Sequence, residues 1–169
     1  MERRVRRLVQ GALIAAMYAA LTHLQNLLLP GSASWAIQVR VSEALCVLAF
    51  FTPAAIGGLT IGCLLFNLTF AAALPLDALV GTLASLLAVS GMYLTRNLQI
   101  RKLPLLGFFL PALSNALLVG WELTVYVGGG FWVNAAYVAL GELIALLLPG
   151  MAVYSVLRHR HLAARLFRD

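Results

Sequence analysis

Four carboxylates, Glu43, Asp77, Glu122 and Glu142, lie inside or at the edge of segments otherwise apolar enough to be buried in lipid, while almost every positive charge lies elsewhere. One acid at a bilayer centre costs roughly 2.5–3.5 kcal/mol, so several unpaired acids would consume much of a folding stability of roughly 5–15 kcal/mol. Something polar must compensate them. The candidates are one another, Arg40, a water-filled cavity, or a polar ligand, for which a cation is best suited.

The stretch Gln38-Val-Arg40-Val-Ser42-Glu43-Ala-Leu is the most unusual. Arg40 and Glu43 are three residues apart across a helix start, so they can pair while Ser42 caps the helix at the outer membrane boundary. This can be a structural ion pair pinning the loop, or Glu43 and Gln38 can also face a ligand. Further along, Asn115, Val119 and Glu122 follow the i, i+4, i+7 rule, which puts the amide and carboxylate on one face directed into the bundle. Asn134, Val138 and Glu142 repeat the device at i, i+4, i+8 and give a second polar stripe that can oppose the first. Two such stripes suggest a binding cavity, and the alternative is interhelical hydrogen bonding. Asp77 falls in a first helical turn, where the helix dipole favours a negative charge, so capping is its default role. Asn67, with Cys63 and Thr60 at helical spacing below it, suits either an interhelical bond or a cavity wall. Trp35, Trp121 and Trp132 fall near the outer interface, as an aromatic belt does, and Trp121 or Trp132 is the better candidate to stack on a flat ligand.

The elements that must position these residues are membrane helices. The chain of 169 residues is 62% hydrophobic and 11% charged, with mean hydropathy +0.93, outside the soluble globular range. Its net charge of +6 does not indicate nucleic-acid binding, because the basic residues flank apolar segments instead of forming a stripe on a polar domain. Cys46 and Cys63 fall within predicted spans without CxxC spacing and read as buried free thiols. Arg3, Arg4, Arg6 and Arg7 followed by an apolar run imitate a signal peptide, but the run continues to about Leu29, so it reads as a retained first helix.

Six segments fit transmembrane or short re-entrant helices within a single domain, 1–169. They are predicted at about Val5 to Leu29, Val41 to Phe51, Pro53 to Ala72, Pro75 to Thr95, Leu105 to Tyr126 and Phe131 to Leu157. Thr52 is placed as the N-cap of the third, with Pro53 at its first helical position. Pro111 and Pro149-Gly150 predict local kinks in the last two. Eleven of the twelve basic residues then lie on one side, around both termini and in the Arg96, Arg101, Lys102 loop, with only Arg40 outside. The positive-inside rule makes that side, with both termini, cytoplasmic. The external side holds the Pro30 to Val39 loop, the Ala73-Leu74-Pro75 turn and the Gly128-Gly129-Gly130 turn, which suit either a mobile lid or ordinary tight turns.

On the first helix, Ala12, Ala16 and Ala20 recur at four-residue spacing beside Ala15 and Ala19. Such a strip allows close helix approach, within this chain or, slightly favoured, to a partner. The chain carries no GxxxxGK[ST] phosphate loop, no HExxH and no GxSxG, and His23, His159 and His161 are far in sequence from the acids. Enzymatic, ATP-hydrolysing and metal-dependent roles are therefore poorly supported, and neither a cofactor nor a metal is expected.

Taken together, Gln38-Val-Arg40-Val-Ser42-Glu43-Ala-Leu, Phe51-Thr52-Pro53, Gly58-Leu-Thr-Ile-Gly62-Cys63, Asn67, Asp77-Ala-Leu-Val-Gly81-Thr82-Leu-Ala, Asn115-Ala-Leu and Gly141-Glu142 resemble the QueT family over nearly the whole chain. That family comprises substrate-binding S components of energy-coupling factor (ECF) transporters. The resemblance implies an all-α, six-helix S component in the bacterial cell membrane that captures a queuosine precursor, 7-aminomethyl-7-deazaguanine or a close relative, from outside. It implies partners too: a transmembrane coupling protein driven by two cytoplasmic ATPases, on which the S component topples to release substrate inside. The alanine strip Ala12, Ala16 and Ala20 resembles the docking signature of such components. The competing expectations are an S component for another flat vitamin or purine, a stand-alone proton-coupled carrier using Glu122 or Glu142, and an intramembrane enzyme.

Overall fold

A computed structural model describes residues 2–30, 32, 39–70, 73–101, 103–159 and 162–167. Gln38, a candidate ligand contact, lies outside the described residues, as do Trp35, Ala72, Lys102, Arg160, His161 and Arg168. The described chain is helical, and its only β-type pairing is an isolated bridge between Ile100 and Leu103. In order the elements are α1 (Glu2–Leu28), a 3₁₀ helix (Val41–Phe50), α2 (Ala54–Thr69), α3 (Asp77–Thr95), α4 (Leu105–Tyr126), α5 (Phe131–Ala145), a π turn (Leu146–Gly150), α6 (Met151–His159) and α7 (Leu162–Leu166).

Every predicted segment is helical, but the helix count differs from six. The last predicted segment is divided by the π turn, and α7 follows it. Among the described residues, four stretches are long and apolar enough to cross a membrane: α1, α3, α4 and the 29-residue run Phe131–His159. The 3₁₀ helix and α2, with 10 and 16 residues, are shorter apolar helices. Proline explains the π turn. Pro149 has no N–H to offer the Ala145 carbonyl four residues back, and the wider i to i−5 register re-satisfies the ladder where a kink was expected. Pro111, by contrast, sits inside α4 without ending it.

The 3₁₀ helix forms the axis of the bundle. Every residue from Ser42 to Phe50 is buried, and the segment touches α1, α2, α3, α5, α6 and the π turn. A 3₁₀ helix rises about 2.0 Å per residue against about 1.5 Å for an α-helix, so ten residues reach about 20 Å through the protein. Around it α1 packs on α2, α2 on α3, α3 on α4 and α4 on α5. Phe50, Phe108 and Tyr154 close one end, with ring centroids 5.2–5.7 Å apart. At this end Gln10 Nε2 of α1 donates to the Leu166 carbonyl of α7 at 3.0 Å, so the two ends of the described chain meet.

Small residues set the α1–α2 distance. A Cβ at Gly62 would lie 2.7 Å from Tyr18 Cβ and 2.9 Å from the Ala15 carbonyl oxygen, neither of which can swing away. Gly62→Ala is therefore expected to lower stability by about 1–3 kcal/mol, seen as a lower thermal midpoint in detergent.

The start of α2 departs slightly from expectation. Thr52 Oγ1 does accept the Ala54 N–H at 3.3 Å, but Pro53 precedes the first helical residue, so the helix opens one position later.

Candidate functional site

The polar residues come from α2, α3, α4, α5 and the start of the 3₁₀ helix. Asn67 closes α2 and Asp77 opens α3. Asn67 Nδ2 donates to the Asp77 carbonyl at 2.8 Å and lies 3.6 Å from Cys63 Sγ, while Asp77 Oδ2 accepts the Leu74 N–H at 2.6 Å. Asp77 thus fixes the turn before its helix, and Asn67 Oδ1 is left buried with no hydrogen-bond partner among the described residues. Gly81 leaves room for this carboxamide: a Cβ there would lie 2.7 Å from Asn67 Nδ2. Gly81→Ala should displace Asn67 from Asp77 and weaken ligand binding by about tenfold, the effect of losing one or two hydrogen bonds, measurable by calorimetry.

On α4, Asn115, Val119 and Glu122 are all buried on the expected face. Glu122 is 0% exposed and neither carboxylate oxygen finds a hydrogen-bond partner among the described residues; Asn115 Nδ2 is also unpartnered. On α5, Val138 and Glu142 are buried, and Glu142 Oε2 has no partner either. Glu142 sits one turn before the π turn, an irregularity that recurs at functional sites.

Asn134 does not complete the second stripe. It is half-buried in the first turn of α5 and its Nδ2 donates to Thr124 Oγ1 and to the Gly128 carbonyl, both at 3.0 Å. The reason is local. Gly128 and Gly129 adopt φ of +92° and +86°, and the Asn134 carboxamide ties this left-handed turn to both helices.

The amino-terminal end of the 3₁₀ helix brings in the fourth acid and the cation. Tyr18 Oη donates to Glu43 Oε1, and Cys46 Sγ to Glu43 Oε2 at 3.1 Å, so protein groups hold Glu43 on both oxygens. Ser42 does not cap the helix. It is buried, and the Thr22 hydroxyl bonds its Oγ at 2.7 Å, while Arg40 occupies the N-cap position without a side-chain cap. The Arg40 guanidinium lies 5.5 Å from the Phe66 ring centroid. Its charge acts on Glu43, Asp77, Glu122 and Glu142, so one guanidinium serves four carboxylates, and the nearest charge in effect on Glu122 is another acid, Asp77.

The two described tryptophans are both exposed. Trp121 is 47% exposed and Trp132 is 78% exposed, the latter edge-on to Phe131. Their positions suit an aromatic belt. Phe66, fully buried beside Arg40, is an aromatic ring that reaches the site, and the sequence reading missed it. Tyr18 was also missed, although its spacing from Thr22 and Gln25 on an otherwise apolar helix could have found it. Cys46 and Cys63 are buried free thiols.

On the outside of α1, Ala12, Ala16 and Ala20 are exposed, while Ala15 is buried against α2. A groove of about 910 Å³ runs along the α1–α2 junction, floored by Gly11, Ala15 and Gly58 and carrying Arg4 and Arg7 near its end. Small residues thus serve both readings, packing α2 on one side and leaving a flat surface on the other.

The arrangement is suited to hold a polar, positively charged molecule: carboxylates outnumber cations, and several buried acceptors and one donor are unused. No curated protein and no solved structure matches the chain. A family model does, described as QueT transporter, and its match over residues 8–159 takes in every helix that contributes to the acidic cluster. The chain belongs to the QueT transporter family.

Proposed function

We propose that this transporter-family protein is the substrate-capture S component of an ECF-type ABC importer, and that it binds a queuosine precursor, 7-aminomethyl-7-deazaguanine or a related 7-deazapurine. The observation that carries the proposal is Glu122, wholly buried with both oxygens unpartnered. A buried acceptor without a partner costs about 1–3 kcal/mol, and a charged one more. A ligand that donates to it recovers that cost. The adjacent N–H donors of a guanine-like ring can meet one carboxylate in bidentate fashion, and the ammonium of the aminomethyl group suits a second acid. Glu122 and Glu142 are the two acids with open acceptors, Asn67 and Asn115 supply a carbonyl and an amide, and Asp77 and Arg40 set the local charge.

In this reading the molecule is a non-enzymatic, multi-pass protein of the bacterial cell membrane with six crossings and both termini cytoplasmic. The basic flanks support that orientation, and the meeting of Gln10 with Leu166 supports an even number of crossings. Ala12, Ala16 and Ala20 form the surface that docks on the ECF coupling protein, which two cytoplasmic ATPases drive. Mass spectrometry of the small molecule that co-purifies with the protein tests the proposal, which expects a 7-deazaguanine. A different flat vitamin or purine would retain the S-component reading and replace the substrate.

The same unpartnered acids favour one second reading, a proton-coupled carrier in which Glu122 or Glu142 relays the proton. Liposomes separate the two. Uptake by this chain alone, driven by a pH gradient, supports the carrier, whereas uptake only with the coupling protein, the ATPases and ATP supports the S component.

A further inference from the structure

The inner face of α1 carries a polar seam. Tyr18, Thr22 and Gln25 are spaced i, i+4, i+7 and fall within about 60° of one another around the helix, and Ala12, Ala16 and Ala20 centre about 150° away on the opposite face. Each seam residue bonds the segment Val39 to Glu43. Tyr18 holds Glu43, Thr22 holds Ser42, and Gln25 holds the backbone on both sides of Arg40. Gln25 Nε2 donates to the Val39 carbonyl at 2.6 Å and to Ser32 Oγ at 3.0 Å, and its Oε1 accepts the Val41 N–H at 2.7 Å. One carboxamide therefore fixes the two peptide groups that flank the cation.

We propose that Gln25, with Thr22 and Tyr18, is a positioning device for substrate binding, holding Arg40 at the acid cluster and joining the ligand site to the helix whose other face carries the alanine strip. The inference rests on the binding role of that cluster and deepens it. Arg40 stands at the N-cap of the 3₁₀ helix in extended conformation, with φ −92° and ψ 114°, so a constraint on its direction has to come from outside that helix. The backbone bonds to Gln25 supply that constraint. Because α1 both carries the strip and holds the segment, these hydrogen bonds give a shift of α1 a direct route to Arg40 beside the packing of the two helices. Any effect of a docked partner on ligand affinity must then be matched by an equal effect of ligand on docking.

The test uses full-length protein in detergent and 7-aminomethyl-7-deazaguanine as the probe. Gln25→Met, which keeps the side-chain length and removes every bond, should weaken binding by about tenfold, and Thr22→Val by about threefold. Positioning is distinguished from scaffolding by a cycle with Arg40→Gln: in that background Gln25→Met should change affinity by less than about twofold, since residues acting through one another are not additive. Full additivity would overturn the proposal. Thr69→Val, which removes the separate bond to His23 at 2.9 Å between the same two helices α1 and α2, should leave affinity unchanged. A ligand-independent measurement accompanies it, in which hydrogen exchange at the Val41 amide is faster in Gln25→Met than in wild type. If wild-type protein ignores the deazaguanine, the substrate assignment falls and exchange decides the seam: faster exchange across Val39 to Glu43 supports it, and unchanged exchange overturns it.

Discussion

Replacing Glu122 by glutamine is expected to weaken capture of 7-aminomethyl-7-deazaguanine by about a hundredfold or more while leaving the thermal midpoint equal to or above that of wild type, because two charge-assisted bonds to ligand are each worth about 1.5–3 kcal/mol. The two effects have opposite signs for one reason. Glu122 is 0% exposed and neither oxygen has a hydrogen-bond partner among the described residues, so the folded protein without ligand carries the cost of its burial. Neutralising a buried charge that has no partner relieves the fold, whereas removing one member of a satisfied pair harms it. Glu43 is the contrasting case. Its oxygens accept from Tyr18 and Cys46, so Glu43→Gln should lower the midpoint. Calorimetry for affinity and thermal unfolding in detergent check both. A Glu122→Gln protein that binds normally, or that is destabilised as Glu43→Gln is, would remove Glu122 from the site.

The second large effect concerns transport without binding. Ala12, Ala16 and Ala20 are exposed and present a surface of single methyl groups, flat enough for another helix to approach closely. Ala16→Leu adds bulk at the middle of that surface. It should reduce ATP-driven uptake in liposomes containing the coupling protein and ATPases by about tenfold or more, since close helix approach at small residues is what drives association in lipid. Affinity of the isolated chain for the deazaguanine should stay within about twofold of wild type, because Ala16 lies on the face of α1 turned away from Tyr18, Thr22 and Gln25. Unchanged uptake would assign the strip to lipid contact alone.

The sequence was most readable where chemistry and periodicity act together. Asn115 and Glu122 stand seven residues apart on an apolar helix, and both are buried on one face as that spacing requires. The same rule did not carry to Asn134, about two turns of helix from Glu142, the acid it was paired with. Periodicity fixes the face of a helix but not the depth, and at the first turn of α5 the carboxamide is claimed by the left-handed Gly128-Gly129 turn. Ser42 was misread for a related reason: its type suits a cap, but its burial beside Thr22 is set by a helix distant in sequence.

Backbone register was legible only in part. Pro149 announced an irregularity because a missing N–H is written in the sequence, although whether the ladder kinks or widens into a π turn depends on packing. Nothing in Val41 to Phe50 distinguishes a 3₁₀ helix from an α-helix, since burial on all sides erases any amphipathic period. The polar seam on α1 was present in the spacing of Tyr18, Thr22 and Gln25. It was hidden because the alanine strip on the opposite face dominates that helix, and because Gln25 bonds the backbone of Val39 and Val41, which side-chain types do not mark.

The central claim is that buried acids are held for a flat cation, and two ligands that share a ring test it most directly. Wild-type protein is titrated by calorimetry with 7-aminomethyl-7-deazaguanine, which carries an ammonium, and with 7-cyano-7-deazaguanine, which does not. The account predicts that the aminomethyl compound binds about ten- to a hundredfold more tightly, the worth of one charge-assisted hydrogen bond to a buried carboxylate. Equal affinities, or tighter binding of the cyano compound, would contradict it.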